Sequence, residues 1–169
     1  QNKGVIPDIK LVDIYDEEFG ERKAKNALKW DTIPTAPFKR EGSIQPYVAQ
    51  LSEKSKIRVS TDPQFQYLST RKTIAQEAKD QKQISLDIEK RKADLLALEA
   101  KTLAAENKRR SETGLKPYSN WESYQASLDA LAESRAKMKV NQRPALPEEE
   151  TFVSEAANVL LDLAHINKK

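Results

Sequence analysis

The sequence contains no cysteine, which excludes disulfide scaffolds, cysteine-liganded zinc and cysteine nucleophiles together. Histidine occurs once, at His165, so a metal site would have to be built from carboxylates, and no Asp-rich calcium loop is present. The four glycines, at positions 4, 20, 42 and 114, are too scattered for a phosphate-binding loop, a dinucleotide fingerprint or a Gly-x-Ser-x-Gly elbow. No apolar run approaches the roughly 18 residues that span a bilayer, and none at the start resembles a signal sequence. An excess of charge of one sign is also missing. The 29 basic and 26 acidic residues are interspersed and leave a net charge of +3, so attraction to a polyanion is weak and nucleic acid is not expected as a partner.

What remains is 169 residues with 33% charged side chains and a mean hydropathy of −0.76. Leu, Ile, Val and Phe together number 37, about 22%, just above the roughly 20% below which a charged chain reads as disordered. A thin core and polar helices follow from this composition, not a turn-rich sandwich or barrel.

Along the chain, Val5, Ile9, Leu11, Asp13 and Tyr15 alternate loosely, which predicts a short strand within residues 1–15. No second strand is evident to satisfy its backbone groups, so it is assigned to a sheet upstream of this chain. Residues 16–42 read as a linker broken by Gly20, Pro34 and Pro37 and anchored by Trp30, Ile33 and Phe38. Residues 43–169 read as a helical domain. Ser43 is placed as an N-cap, and Ile44, Tyr47, Val48 and Leu51 follow at helical spacing, with Pro46 in the first turn. Asp62 before Pro63 marks a second helix running to about Lys82. Asp87 to Glu112 forms a third, ended by Gly114 as a left-handed cap with Pro117 behind it. The third helix carries only a narrow stripe of Ile88, Leu95, Leu96, Leu98 and Leu103 among charges, so most of it is expected to face water.

Ser119 and Glu122 have capping-box spacing, and Trp121, Tyr124, Leu128, Leu131 and Met138 recur on one face of a fourth helix. Pro144 and Pro147 form a connector to the fifth, which opens with Glu148, Glu149 and Glu150 and ends near Lys168 and Lys169. Phe152, Ala156, Val159, Leu160 and Leu163 give that helix the cleanest apolar stripe, predicted to lie in the core. Leu160→Ala is accordingly expected to cost about 2–5 kcal/mol, and Leu103→Ala under roughly 1.5 kcal/mol.

Residues that could carry chemistry have structural explanations. His165 lies in a last turn, Asp62 and the Glu148–Glu150 run at helix starts, and Ser43 and Ser119 at caps. The Lys108, Arg109, Arg110 run is flanked by Glu106 and Glu112 and reads as a solvated helix end. No catalytic, cofactor-binding or metal-ligating residue is assigned, and no cofactor is expected.

Four motifs in order carry a resemblance. Lys3-Gly4-Val5-Ile6-Pro7-Asp8-Ile9 resembles the segment that closes the catalytic domain of carboxy-terminal processing peptidases, shortly after the catalytic lysine. Leu28-Lys29-Trp30-Asp31-Thr32-Ile33 is similar to the Leu-Pro-Trp-Asp-x-Ile stretch that opens the helical C-terminal domain in the tail-specific protease branch, with Lys29 in place of the usual proline. Asp62-Pro63-Gln64-Phe65-Gln66-Tyr67 resembles that branch's Asp-Pro-Glu-Phe-Gln helix start, and Asn158 to Ala164 its last helix. The region Trp121 to Lys139 departs from the pattern as an insertion.

The resemblance implies a mainly α domain of four to five helices, preceded by a strand that ends a protease domain. It implies a periplasmic serine endopeptidase of Gram-negative bacteria, with upstream PDZ and protease domains and a Ser/Lys dyad outside this chain. Its substrates would be proteins recognised by their C-termini. The helical domain would support or gate the upstream site and contact substrate or an adaptor lipoprotein. On this reading the fragment itself is not an enzyme, although its parent is. A stand-alone helical adaptor whose charged third helix binds another protein is the alternative.

Overall fold

Asp62 separates the first two helices among the described residues. A proline at position 63 has no N–H for the helical ladder and pushes the preceding residue out of the helical region. Asp62 accordingly sits at φ −75°, ψ 123°, where its carboxylate accepts from the N–H of Gln64 at 2.7 Å and of Phe65 at 3.4 Å. The predicted cap is therefore in place. The computed structural model describes residues 7–12, 25–26 and 43–166. They are mainly helical, with α1 at Gln45–Thr61, α2 at Pro63–Asp80, α3 at Ile88–Glu112, α4 at Trp121–Lys137 and α5 at Pro147–Ile166.

Most helix ends follow the sequence. Asp87 caps α3 through the N–H groups of Glu89 and Lys90. Gly114 closes it at φ 75°, with its N–H donating to Ser111 O and that of Leu115 to Arg110 O, the paired bonds of a Schellman turn. Three boundaries differ. At α1 the N-cap position falls on Ile44, and Ser43 stands one residue further out with its hydroxyl accepting from the Gln45 N–H. The box at α4 pairs Asn120 with Ser123 instead of Ser119 with Glu122, because Asn120 is extended and its side chain reaches the Ser123 N–H at 3.0 Å. Finally, α2 stops at Asp80, two residues short of Lys82.

The strand expected over residues 1–15 lies outside the described residues except for 7–12, which are irregular there. Within them Leu11 and Val12 pack against the core, and Asp8 accepts a hydrogen bond from the Gln45 side chain. The predicted linker falls almost wholly outside the description.

The core is as thin as the composition implies. Phe65 and Leu68 of α2 are 3% and 2% exposed, with Tyr67 beside them and Val59, Ala105 and Phe152 around the edge. Phe65 and Phe152 meet edge to face, ring centroids 5.8 Å apart, joining α2 to α5. α5 runs antiparallel past the α1–α2 joint, with Asp162 and Glu155 facing α1 and Phe152 and Glu148 facing α2. α3 packs antiparallel on α2; Asn107 of α3 pins the turn before α4 by donating to Tyr118 O and accepting from Tyr118 N–H, and the Tyr118 hydroxyl shares a hydrogen bond with Ser127 of α4.

Leu160 is not in this core. It is 65% exposed, and of the predicted stripe only Phe152, Val159 and Leu163 are partly covered, while Ala156 lies open. The helix is rolled so that its polar edge, not the centre of its apolar arc, meets α1. The solvated reading of Lys108 to Arg110 also needs correction at Arg109, which is buried because Glu106 one turn back neutralises it. Of the narrow stripe read on α3 only Leu103 is half-buried, while Ile88, Leu95, Leu96 and Leu98 are exposed, so even the apolar side of this helix is largely left uncovered by the other described helices.

Candidate functional site

The polar side of α5 is fastened to α1 by charge. Ser55 of α1 is 2% exposed, small enough to let the helices approach closely, and Glu155 of α5 is buried against it. Arg58 grips Glu155 through Nη2 to Oε1 at 2.8 Å and Nε to Oε2 at 3.0 Å, and donates from Nη1 to Asp162 Oδ2 at 2.7 Å. Lys54 completes the cluster on Asp162 Oδ1 at 2.8 Å. The hydrogen bonds to Glu155 foremost hold the Arg58 guanidinium firmly protonated. Burial alone would raise the Glu155 carboxyl, but the bonds from Arg58 and Ser55 bring it below its usual range. Asp162 is lowered too, by Lys54 first and then Arg58.

This clamp leaves the apolar arc of α5 facing outward. At 3.6 residues per turn, Val159 through Phe152, Leu163, Ala156, Leu160, Val153, Ala164 and Ala157 to Leu161 sweep about 200° of the helix. Only one flank of that sweep is covered. Val153 is 68% and Leu161 58% exposed, and Ala157 and Ala164 lie open between them. An apolar arc of this width is what an interaction face presents. Sequence periodicity located Phe152, Ala156, Val159, Leu160 and Leu163 but assigned all five to the interior, and it did not single out Val153, Ala157 or Leu161. The charged cluster that decides the roll, Lys54, Arg58, Glu155 and Asp162, was missed, since its members lie about a hundred positions apart.

The other residues singled out by sequence do not form a site with this face. His165 is exposed in the last turn of α5, Asp62 serves as a cap, and Glu148 pairs with Arg71 at 3.0 Å. Among the described residues no group of three or more His, Asp or Glu side chains is arranged to hold a metal ion, and no helix is long and apolar enough to cross a membrane.

Comparison with known proteins bears on the whole arrangement. A family profile described as "C-terminal domain of tail specific protease (DUF3340)" matches residues 14–165. A curated relative from Haemophilus influenzae, named "Tail-specific protease", is 37% identical over 121 residues, which are 69% of this chain and 17% of that protein. The chain thus spans about a sixth of the length of the relative it matches.

Proposed function

Because this chain belongs to the family of tail-specific protease C-terminal domains, we propose that it is the non-catalytic helical domain of a periplasmic serine endopeptidase that cleaves proteins recognised by their C-termini. Residues 1–15 close the protease domain, residues 16–42 link it to the helices, and residues 43–169 are the helical domain proper. The catalytic serine and lysine and the PDZ domain lie in the upstream polypeptide, and protein substrates or an adaptor lipoprotein meet the assembled molecule. The profile match over residues 14–165 carries this reading.

The outward arc of α5 supports a docking role. Val153, Leu160 and Leu161 face away from the described helices, and most of the relative's length lies outside the matched region. In the intact protein this arc seats the helical domain on the upstream domains and so supports or gates their active site. The test is cleavage of a reporter protein with an apolar C-terminus by the intact protein carrying Val153→Lys and Leu160→Glu. A loss of activity of tenfold or more, with unchanged helicity of the 169-residue chain bearing the same changes, is expected. Full activity would overturn the docking role, and cleavage by the 169-residue chain alone would overturn the assignment of catalysis to the upstream part.

A further inference from the structure

α4 packs on α3 and reaches α2 through Tyr124, whose side chain meets that of Tyr67, but among the described residues its backbone comes close to neither α2 nor α5. The space this leaves is an open cleft of about 380 Å³. Its floor is the buried pair Glu106 and Arg109, the Arg109 guanidinium lying 5.1 Å from the Tyr67 ring centroid. Leu128 and Leu131, one turn apart on α4, form an apolar wall with Leu115 of the α3–α4 turn, and all three are 40–47% exposed.

Three guanidinium groups border the cleft and only two carboxylates answer them. Arg109 takes both oxygens of Glu106, at 2.6 and 2.9 Å, and Arg71 takes Glu148 at 3.0 Å. Arg110 reaches Glu106 only at 3.9 Å, and that is its one carboxylate within 4 Å among the described residues. Its Nε donates instead to Lys116 O at 2.6 Å and its Nη1 to the Tyr118 hydroxyl at 3.2 Å, with the guanidinium stacked 4.2 Å from the Tyr118 ring centroid. The excess positive charge therefore rests on a guanidinium already held in one orientation, beside half-exposed leucines.

We propose that this cleft binds the carboxy-terminal residue of an unfolded polypeptide, with Arg110 taking the α-carboxylate and Leu115, Leu128 and Leu131 taking an apolar last side chain. Charge and apolar surface must be met together, and in a terminal residue the carboxylate and side chain stem from one Cα. An Asp or Glu side chain would leave the apolar group to a neighbour, which in an extended chain points to the opposite side. The choice of a polypeptide over another carboxylate-bearing amphiphile rests on the protease reading above.

A fluorescent octapeptide ending in Ala-Leu, with a free or an amidated C-terminus, titrated into the 169-residue chain tests this by anisotropy. Saturable binding of the free acid, at least tenfold weaker for the amide, is expected. Arg110→Gln should weaken the free acid tenfold and leave the amide unchanged. Leu131→Asp, which removes no internal hydrogen bond, should abolish binding while the far-ultraviolet circular dichroism stays the same. Equal affinity for the two peptides, no saturable binding, or undiminished binding by Leu131→Asp would overturn the proposal. The cleft shares no residue with the outward arc of α5, so failure of the docking role leaves this titration unaffected.

Discussion

Arg58 and Glu155 meet across the α1–α5 boundary through parallel hydrogen bonds of 2.8 and 3.0 Å, and the Glu155 side chain is 4% exposed while that of Arg58 is 32% exposed. The buried member is the one that cannot recover water if its partner is lost. Arg58→Met should therefore destabilise the chain by about 2–4 kcal/mol, toward the lower part of the range for breaking a buried pair because Arg58 is partly solvated. Adding Glu155→Met should restore much of that loss, since a buried charge no longer remains. Urea unfolding of the single and double variants checks both steps. A double variant no better than Arg58→Met would mean that packing, not charge, fixes the α1–α5 contact.

The same cluster sets an acid limit. Glu155 and Asp162 have folded pKa values below their ordinary ones, so the unfolded chain binds protons more readily and the pair stabilises the fold above the unfolded values, about 4 to 4.5. That contribution is lost as pH falls through the lowered folded values. Stability should be flat with respect to these two groups between about pH 6 and 8 and should fall below about pH 5. Glu155→Gln with Asp162→Asn should flatten the acid limb of the urea midpoint measured against pH. An acid limb as steep as that of the unaltered chain would place the controlling carboxylates elsewhere.

Local signals were legible wherever one residue governs its own neighbourhood. Asp62 with Pro63 started α2, Asp87 started α3, and Gly114 ended it as expected. Helix faces were less legible. The α5 arc is so wide that periodicity could not say which part is inside, and the roll was set by Arg58 meeting Glu155 from 97 positions away. Arg109 shows the converse. A basic run near a helix end suggests solvent, but Glu106 at i−3 is a local signal that could have marked the pair as buried beneath Tyr67.

Gly114 offers a test of backbone conformation free of packing. Its φ of 75° is left-handed, and a Cβ built there meets nothing within 4 Å. Gly114→Ala should cost about 1 kcal/mol, the left-handed penalty of an ordinary residue, and Gly114→Asn less, because asparagine tolerates that region. Thermal or urea unfolding of the two variants gives the comparison. Equal, negligible losses would show that the Schellman turn does not limit the stability of α3.

Phe65 and Leu160 separate residues that build the fold from residues that face out of it. Phe65 is 3% exposed, edge to face with Phe152, at the point where α1, α2 and α5 converge. Phe65→Ala opens a cavity in a core that, among the described residues, otherwise buries Leu51, Tyr67, Leu68 and Tyr124 as its large side chains, and should cost about 3–5 kcal/mol, a large share of the stability of a domain this size. Leu160 is 65% exposed, so in the 169-residue chain Leu160→Ala should change stability by no more than about 0.5 kcal/mol. The difference should narrow once the arc is covered. If α5 seats the domain on the upstream polypeptide, the same Leu160→Ala change in the intact protein removes buried area and should lower its unfolding midpoint, although it left the shorter chain unaffected. Measured side by side in both chain lengths, a Leu160→Ala effect that is negligible in each would show that the arc stays exposed in the whole protein.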